Sequence, residues 1–194
     1  RESRTDIEGM VQDVAGRVVA VGPDVADHSE LSTWGADAAF CVEADHAGEP
    51  LEAEVADALT GWCRRESPWA VLGPSTAWGR EVLGRLAVAV HAGLTGDAID
   101  LRVSAGRLVA HKPAFGGTVL VDIVANSSMQ MATVRAGTLP LRMPRMRRLI
   151  RVEHIRAEHD MRLVVSRRTR SADFDLLATA NVVLGVGQGF GPGD

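Results

Sequence analysis

The stretch WAVLGPSTAWGREVLGRLAVAVHAG, residues 69–93, constrains this chain more than any other. An apolar strand at 69–73 runs through a turn of Gly73, Pro74, Ser75 and Thr76 into a helix whose Val82, Leu83, Leu86, Ala87 and Val90 share one face. The same grammar precedes it. DIEGMVQDVA (6–15) reads as a short amphipathic helix stopped by Gly16, RVVAVGP as a strand closed by Gly-Pro, and ELSTWGADAAFCVEAD as a helical turn followed by a second strand. PLEAEVADALTGWCRR then gives a helix with Leu51, Val55, Leu59 and Trp62 on one stripe. Strands alternating with helices of this length predict βαβ units, right-handed crossovers and an α/β fold built on a mostly parallel sheet with helices on both faces.

After Gly93 the pattern changes. Residues 97–141 read as several strands separated by Gly, Asn and Ser turns, which predicts an antiparallel extension of the same sheet. LIRVEHIRAEHDMRLVVSRRTR predicts a strand pair about the AEHD turn. DFDLLATANVVLGVGQGFGPGD predicts a helical step, an apolar strand and a glycine-rich turn, the opening of a second nucleotide-type unit.

Several classes of function are excluded by composition and pattern. With 46% hydrophobic and 24% charged residues the chain has a globular profile, and no apolar run reaches the length of a spanning helix. The segment RESRTDIEGM has neither the apolar core nor the cleavage site of a secretory signal. Cys41 and Cys63 are the only cysteines, without CxxC spacing, and are expected as free thiols in a reducing cytoplasm. Residues 135–170 hold 11 arginines against 3 acidic residues. That band lacks the aromatics that stack on bases, so a docking surface for an acidic partner is expected there, and no nucleic acid.

Candidate chemistry is sparse. The glycines Gly185, Gly187 and Gly189 could bring backbone N–H groups close to a phosphate, although their spacing is not G-x-G-x-x-G. Ser75 or Thr76 is expected to cap the helix that follows. No G-x-S-x-G elbow surrounds Ser75, no paired carboxylates stand at acid/base spacing, and the six histidines show no H-E-x-x-H pattern. His154 and His159 fall on neither a helix face nor a strand face together, so no metal site and no catalytic residue is expected.

Three segments, in order, resemble one family. VLGPSTAWGREVLGRLAVAVHAGLTGDAIDL, with its Pro-Ser/Thr turn, its Gly-Arg-Glu helix start and Arg85, is similar to a segment of the electron transfer flavoprotein alpha subunit. HKPAFGGTVLVDI followed by QMATVRAGTLPL resembles that family's aromatic-Gly turn and its strand ending in T-V-R, and DFDLLATANVVLGVGQG resembles the lead into its flavin domain. The resemblance covers roughly residues 7–191. It implies a Rossmann-like, adenine nucleotide alpha hydrolase-like domain over 1–178 and the beginning of the FAD-binding domain over 179–194. The job it implies is that of an electron carrier rather than an enzyme. The domain would pair with a beta subunit and support FAD in relaying electrons from dehydrogenases to a quinone reductase or another acceptor, without membrane insertion.

FAD contact is implied at Gly187, Gln188 and Gly189, with AMP held by the partner beta subunit and the 73–76 loop left as a remnant of a nucleotide turn. Two departures follow. The family's Gly-Gly-Arg-Gly reads here as Val186, Gly187, Gln188, Gly189, so a hydrogen-bond donor without charge stands where an arginine meets the flavin. A first strand before residue 6 and about a hundred further residues of flavin domain, both implied by the resemblance, are not in this sequence, so no stable FAD binding by this chain alone is expected. The alternative is a stand-alone adenine-nucleotide-binding module of the universal-stress type that uses the 73–76 loop.

Overall fold

A computed structural model describes residues 17–23, 28–46, 48–140, 146–158, 176–177, 179–187 and 189. The chain divides into two compact units, Arg1–Asp160 and Met161–Asp194. In the first, β1 (Val19–Gly22), α1 (His28–Thr33), β2 (Ala38–Ala44), α2 (Glu52–Glu66), β3 (Ala70–Pro74) and α3 (Ala77–Ala89) alternate as the apolar periodicity requires. There follow β4 (Gly93–Ala98), β5 (Asp100–Ser104), β6 (Arg107–Ala114), a single 3₁₀ turn (Phe115–Gly117), β7 (Val119–Val124), β8 (Gln130–Val134) and β9 (Arg151–Ala157). The helix expected at 6–15 lies outside the described residues.

The strands form three sheets of three, in the orders β1-β2-β9, β3-β8-β4 and β5-β6-β7. The first two are parallel throughout and the third is antiparallel. Two strands therefore differ from their expected pairing, because β4 and β8 flank one another in a parallel sheet instead of belonging to a meander. The antiparallel strands β5 to β7 are an excursion between them. All five residues of β8 are buried, as befits a central strand covered on both faces.

Side-chain alternation explains the layers. Phe40 and Val42 of β2 face α2, where the Phe40 and Trp62 rings meet edge to face at 5.6 Å, while Ala39 and Cys41, which alternate with them, pack with Leu31 of α1 on the other side. The first sheet thus carries helices on both faces. In the second sheet Met131, Val71 and Leu94 point toward α3, whose Val82, Leu83 and Leu86 close the same core as α2. Ala132, Val134 and Leu72 point the other way and are covered by Leu101, Leu108 and Ala110 of the antiparallel sheet, so a sheet takes the place of a helix on that face.

The expected strand pair about AEHD yields β9, which runs parallel to β2 in register from Ala38↔Arg151 to Ala44↔Ala157; its expected return strand falls outside the described residues. In the second unit Leu176, Leu177 and Thr179 are helical, but 182–187 form no ladder, and Val182, Val183, Leu184 and Val186 are exposed. The strand expected there is thus not one among the described residues, since apolar β-formers become a strand only against a neighbour's N–H and C=O groups. No helix among the described residues is long and apolar enough to cross a membrane.

Candidate functional site

In open α/β sheets, ligands bind beyond the carboxyl ends of parallel strands. In the second sheet those ends are the turn after β3, the end of β4 and the end of β8, and they converge on one carboxylate. Between Thr95↔Ala132 and Ala98↔Val134 the β4–β8 register shifts, leaving Gly96 and Asp97 opposite Thr133 alone. This is a β-bulge, and it turns Asp97 into the left-handed region at φ 62°, a conformation that aspartate tolerates better than most side chains. The Asp97 N–H donates to Thr133 Oγ1 at 2.9 Å, fixing the bulge.

The side chain so re-aimed is enclosed by donors. Ser75 Oγ donates to Asp97 Oδ1 at 3.0 Å, Arg135 Nε to the same oxygen at 3.2 Å, and Arg135 Nη2 to Oδ2 at 2.5 Å. Arg80 Nη2 stands 3.5 Å from Oδ1, and its Nε donates to Ser75 Oγ at 3.1 Å. The bidentate hydrogen bonds from Arg135 hold the Asp97 carboxyl down at about 2 against the desolvation that opposes them, with Ser75 and the two guanidinium charges adding to the effect. Arg135 holds its own proton more tightly for the same reason.

The start of α3 is built for close approach. Thr76 Oγ1 accepts from the Gly79 N–H at 3.1 Å, as its N-cap position predicts. A Cβ on Gly79 would lie 2.0 Å from the Pro74 carbonyl oxygen, so only glycine lets the helix begin this near the strand end. The arrangement has the parts of an anion site: a capped helix start, a serine hydroxyl and two guanidinium groups. The anion in it is Asp97.

Of the residues singled out in sequence, Thr76 and Ser75 are both here, the first as a cap and the second as an Asp97 donor. Arg85 is not; it forms an exposed ion pair with Glu81 one turn earlier on α3. Gly187 and Gly189 are exposed in the second unit, and Gln188 lies outside the described residues. Cys63 is buried, with its thiol pushed up to about 11 by desolvation, and Cys41 is half-buried. Within the arginine-rich band, Arg135, Arg148 and Arg151 bind acids of the chain itself: Asp97, Asp37 and Glu153. Arg80, Asp97, Thr133 and Arg135 escaped sequence reasoning. The Gly96-Asp97 pair inside a strand pattern was the one available sign of a bulge.

The electron transfer flavoprotein domain family matches residues 12–158, which takes in every element from β1 to β9. The chain belongs to the electron transfer flavoprotein family. Over 109 residues it is 38% identical to the "Electron transfer flavoprotein subunit alpha" of Mycobacterium leprae, covering 56% of this chain and 33% of that protein. Over 189 residues it is 32% identical to "Protein FixB" of Bradyrhizobium diazoefficiens, covering 89% of this chain and 50% of that one. It is 26% identical to the alpha subunit of Bacillus subtilis over 174 residues, 88% of this chain and 54% of the relative. The chain thus spans about half the length of these relatives or less, two of which are alpha subunits, as its motifs indicate.

Proposed function

We propose that the α/β domain is a scaffold of an electron transfer flavoprotein alpha subunit. It pairs with a beta subunit, supports the FAD that carries electrons from dehydrogenases to a quinone reductase or another acceptor, and performs no turnover chemistry of its own. One observation carries this reading, at the strand ends where α/β folds commonly hold nucleotide phosphates. The corner where a phosphate would sit is filled by Asp97, hydrogen-bonded by Ser75 and Arg135 and flanked by Arg80. A nucleotide phosphate arriving there would meet a carboxylate already using the donors it needs, and like charges at that distance repel. This supports the reading that AMP is held by the beta subunit, as the resemblance implies, and not in this corner.

The FAD contact belongs to the second unit. A Cβ placed on Gly187 or Gly189 meets nothing within 4 Å among the described residues, so packing among these does not require glycine at either position. Glycine there suits a backbone that a cofactor phosphate approaches closely, with Gln188 adding an uncharged donor. The exposed run Val182, Val183, Leu184 is suited to a ladder with strands of a flavin domain that begins near residue 179. When bound, FAD would supply the one- and two-electron chemistry. These residues would bind and orient it.

Mixing the purified chain with an electron transfer flavoprotein beta subunit and FAD tests the reading by size-exclusion chromatography with flavin absorbance. A 1:1 protein complex is expected, while the chain alone stays colourless and shows no thermal shift with AMP or ATP. Stoichiometric flavin on the isolated chain, or stabilisation by AMP, would support a self-sufficient nucleotide module instead.

A further inference from the structure

The ladder between β2 and β9 brings together three side chains that the sequence keeps far apart. Cys41 stands opposite His154 in the register, and Glu43 lies two residues beyond Cys41 on the same face of β2. His154 Nδ1 is 2.7 Å from Glu43 Oε1 across a sequence separation of 111 residues. One thiol sulfur, one imidazole nitrogen and one carboxylate oxygen lie within 4.8 Å of one another. Glu43 and His154 are about half exposed, and Cys41 is half-buried with its thiol turned toward the Pro23 carbonyl at 3.8 Å.

From this geometry we infer a zinc-type cation site: Cys41, Glu43 and His154 bind one borderline-soft divalent ion, with water in the fourth position. The donor set decides the ion. A single carboxylate is too few oxygens for Mg²⁺ or Ca²⁺, whereas sulfur, nitrogen and oxygen together suit Zn²⁺ and Co²⁺. Bond lengths of about 2.0–2.3 Å to a tetrahedral zinc place ligand atoms roughly 3.3–3.7 Å apart. The His154–Glu43 pair opens by about 1 Å and the Cys41 thiol swings inward by a similar amount, both within the reach of χ rotations. The backbone stays where the β2–β9 ladder holds it. Binding exchanges the thiol proton for a metal–sulfur bond, and the proton goes to solvent. Arg156 stands opposite Glu43 on the same face, and its charge lowers the affinity below that of closed structural zinc sites.

Cobalt(II) titration of the full chain, read by optical absorption, tests the assignment. One equivalent of Co²⁺ should produce tetrahedral visible bands and a thiolate-to-cobalt band, both removed by Zn²⁺. Cys41→Ser should abolish the thiolate band. His154→Ala and Glu43→Gln, at half-exposed positions where the fold tolerates change, should each weaken binding by about tenfold or more. Cys63→Ala should leave the spectrum intact. The assignment is overturned if no thiolate band appears, if the band depends on Cys63, or if it persists at unchanged affinity in both His154→Ala and Glu43→Gln.

Discussion

Replacing Asp97 by Asn keeps the size of the side chain and removes the one charge that Ser75, Arg80 and Arg135 surround. A carboxyl held at about 2 in the folded chain against an ordinary 3.8 sets a ceiling of about 2.4 kcal/mol on what its ionisation contributes to stability. Arg80 and Arg135 are 58% and 47% exposed, so water screens the ion pairs and leaves about 1 kcal/mol at neutral pH. The pH dependence has a definite sign. Because the folded value is the lower one, the contribution is complete above about pH 4 and disappears as pH falls through about 2. Urea titrations of wild type and Asp97→Asn at pH 7 should differ by about 0.5 M in midpoint, given a slope of about 2 kcal/mol per M, and should converge toward pH 2. A gap of the same size at pH 2 and pH 7 would show that the variant damages the bulge rather than the charge network. No gap at pH 7 would show that the network contributes nothing. Inorganic phosphate gives a second readout: it should stabilise Asp97→Asn more than wild type, because the variant frees the donors that the carboxylate occupies.

The two glycines of α3 should respond in opposite directions to the same substitution. Gly79→Ala meets the Pro74 carbonyl and should cost about 3 kcal/mol, whereas Gly84→Ala, with nothing within 4 Å of its Cβ, should gain about 0.5–1 kcal/mol; a common sign in thermal melts would contradict the packing at the helix start. Leu86→Ala, fully buried between the helices and the second sheet, should lose about 3 kcal/mol and lower Tm by about 9 °C. Below pH 9 iodoacetamide should modify Cys41 and spare Cys63, whose thiol is raised to about 11, until denaturant is added; equal labelling rates in the native chain would refute its burial.

Local signals in the sequence were sufficient for the elements whose partners are their own neighbours. The stripe Val55, Leu59, Trp62 and the face Val82, Leu83, Leu86, Ala87 are the core of α2 and α3 because helical periodicity states directly which side is buried. Thr76 was legible as a cap for the same reason. Pairing was not legible. β8 reads like one more hairpin strand after β7, and only the tertiary register sets it between β3 and β4. Asp97 reads as a turn residue and Arg135 as one arginine in a basic band, yet they meet across a sequence separation of 38 because β4 and β8 are neighbours. The same holds for Cys41 and His154. Spacing rules that exclude a metal motif within one helix or strand say nothing about ligands contributed by two strands of a ladder.

The corner around Asp97 also shows how positive charge gathered at a strand end is neutralised from within the chain. A helix start carries partial positive charge from its unpaired N–H groups, and here Arg80 and Arg135 add two full charges beside it. Left alone, that concentration of positive charge would disfavour the folded state, and a bound phosphate would relieve it at the expense of making stability depend on ligand concentration. The β-bulge at Gly96 and Asp97 supplies the anion from within the chain instead, at the cost of one residue in the left-handed region. The stability this corner contributes then depends on pH. A corner neutralised in this way needs no bound anion to offset its arginines, which fits the proposed role of the domain as support for a cofactor held elsewhere.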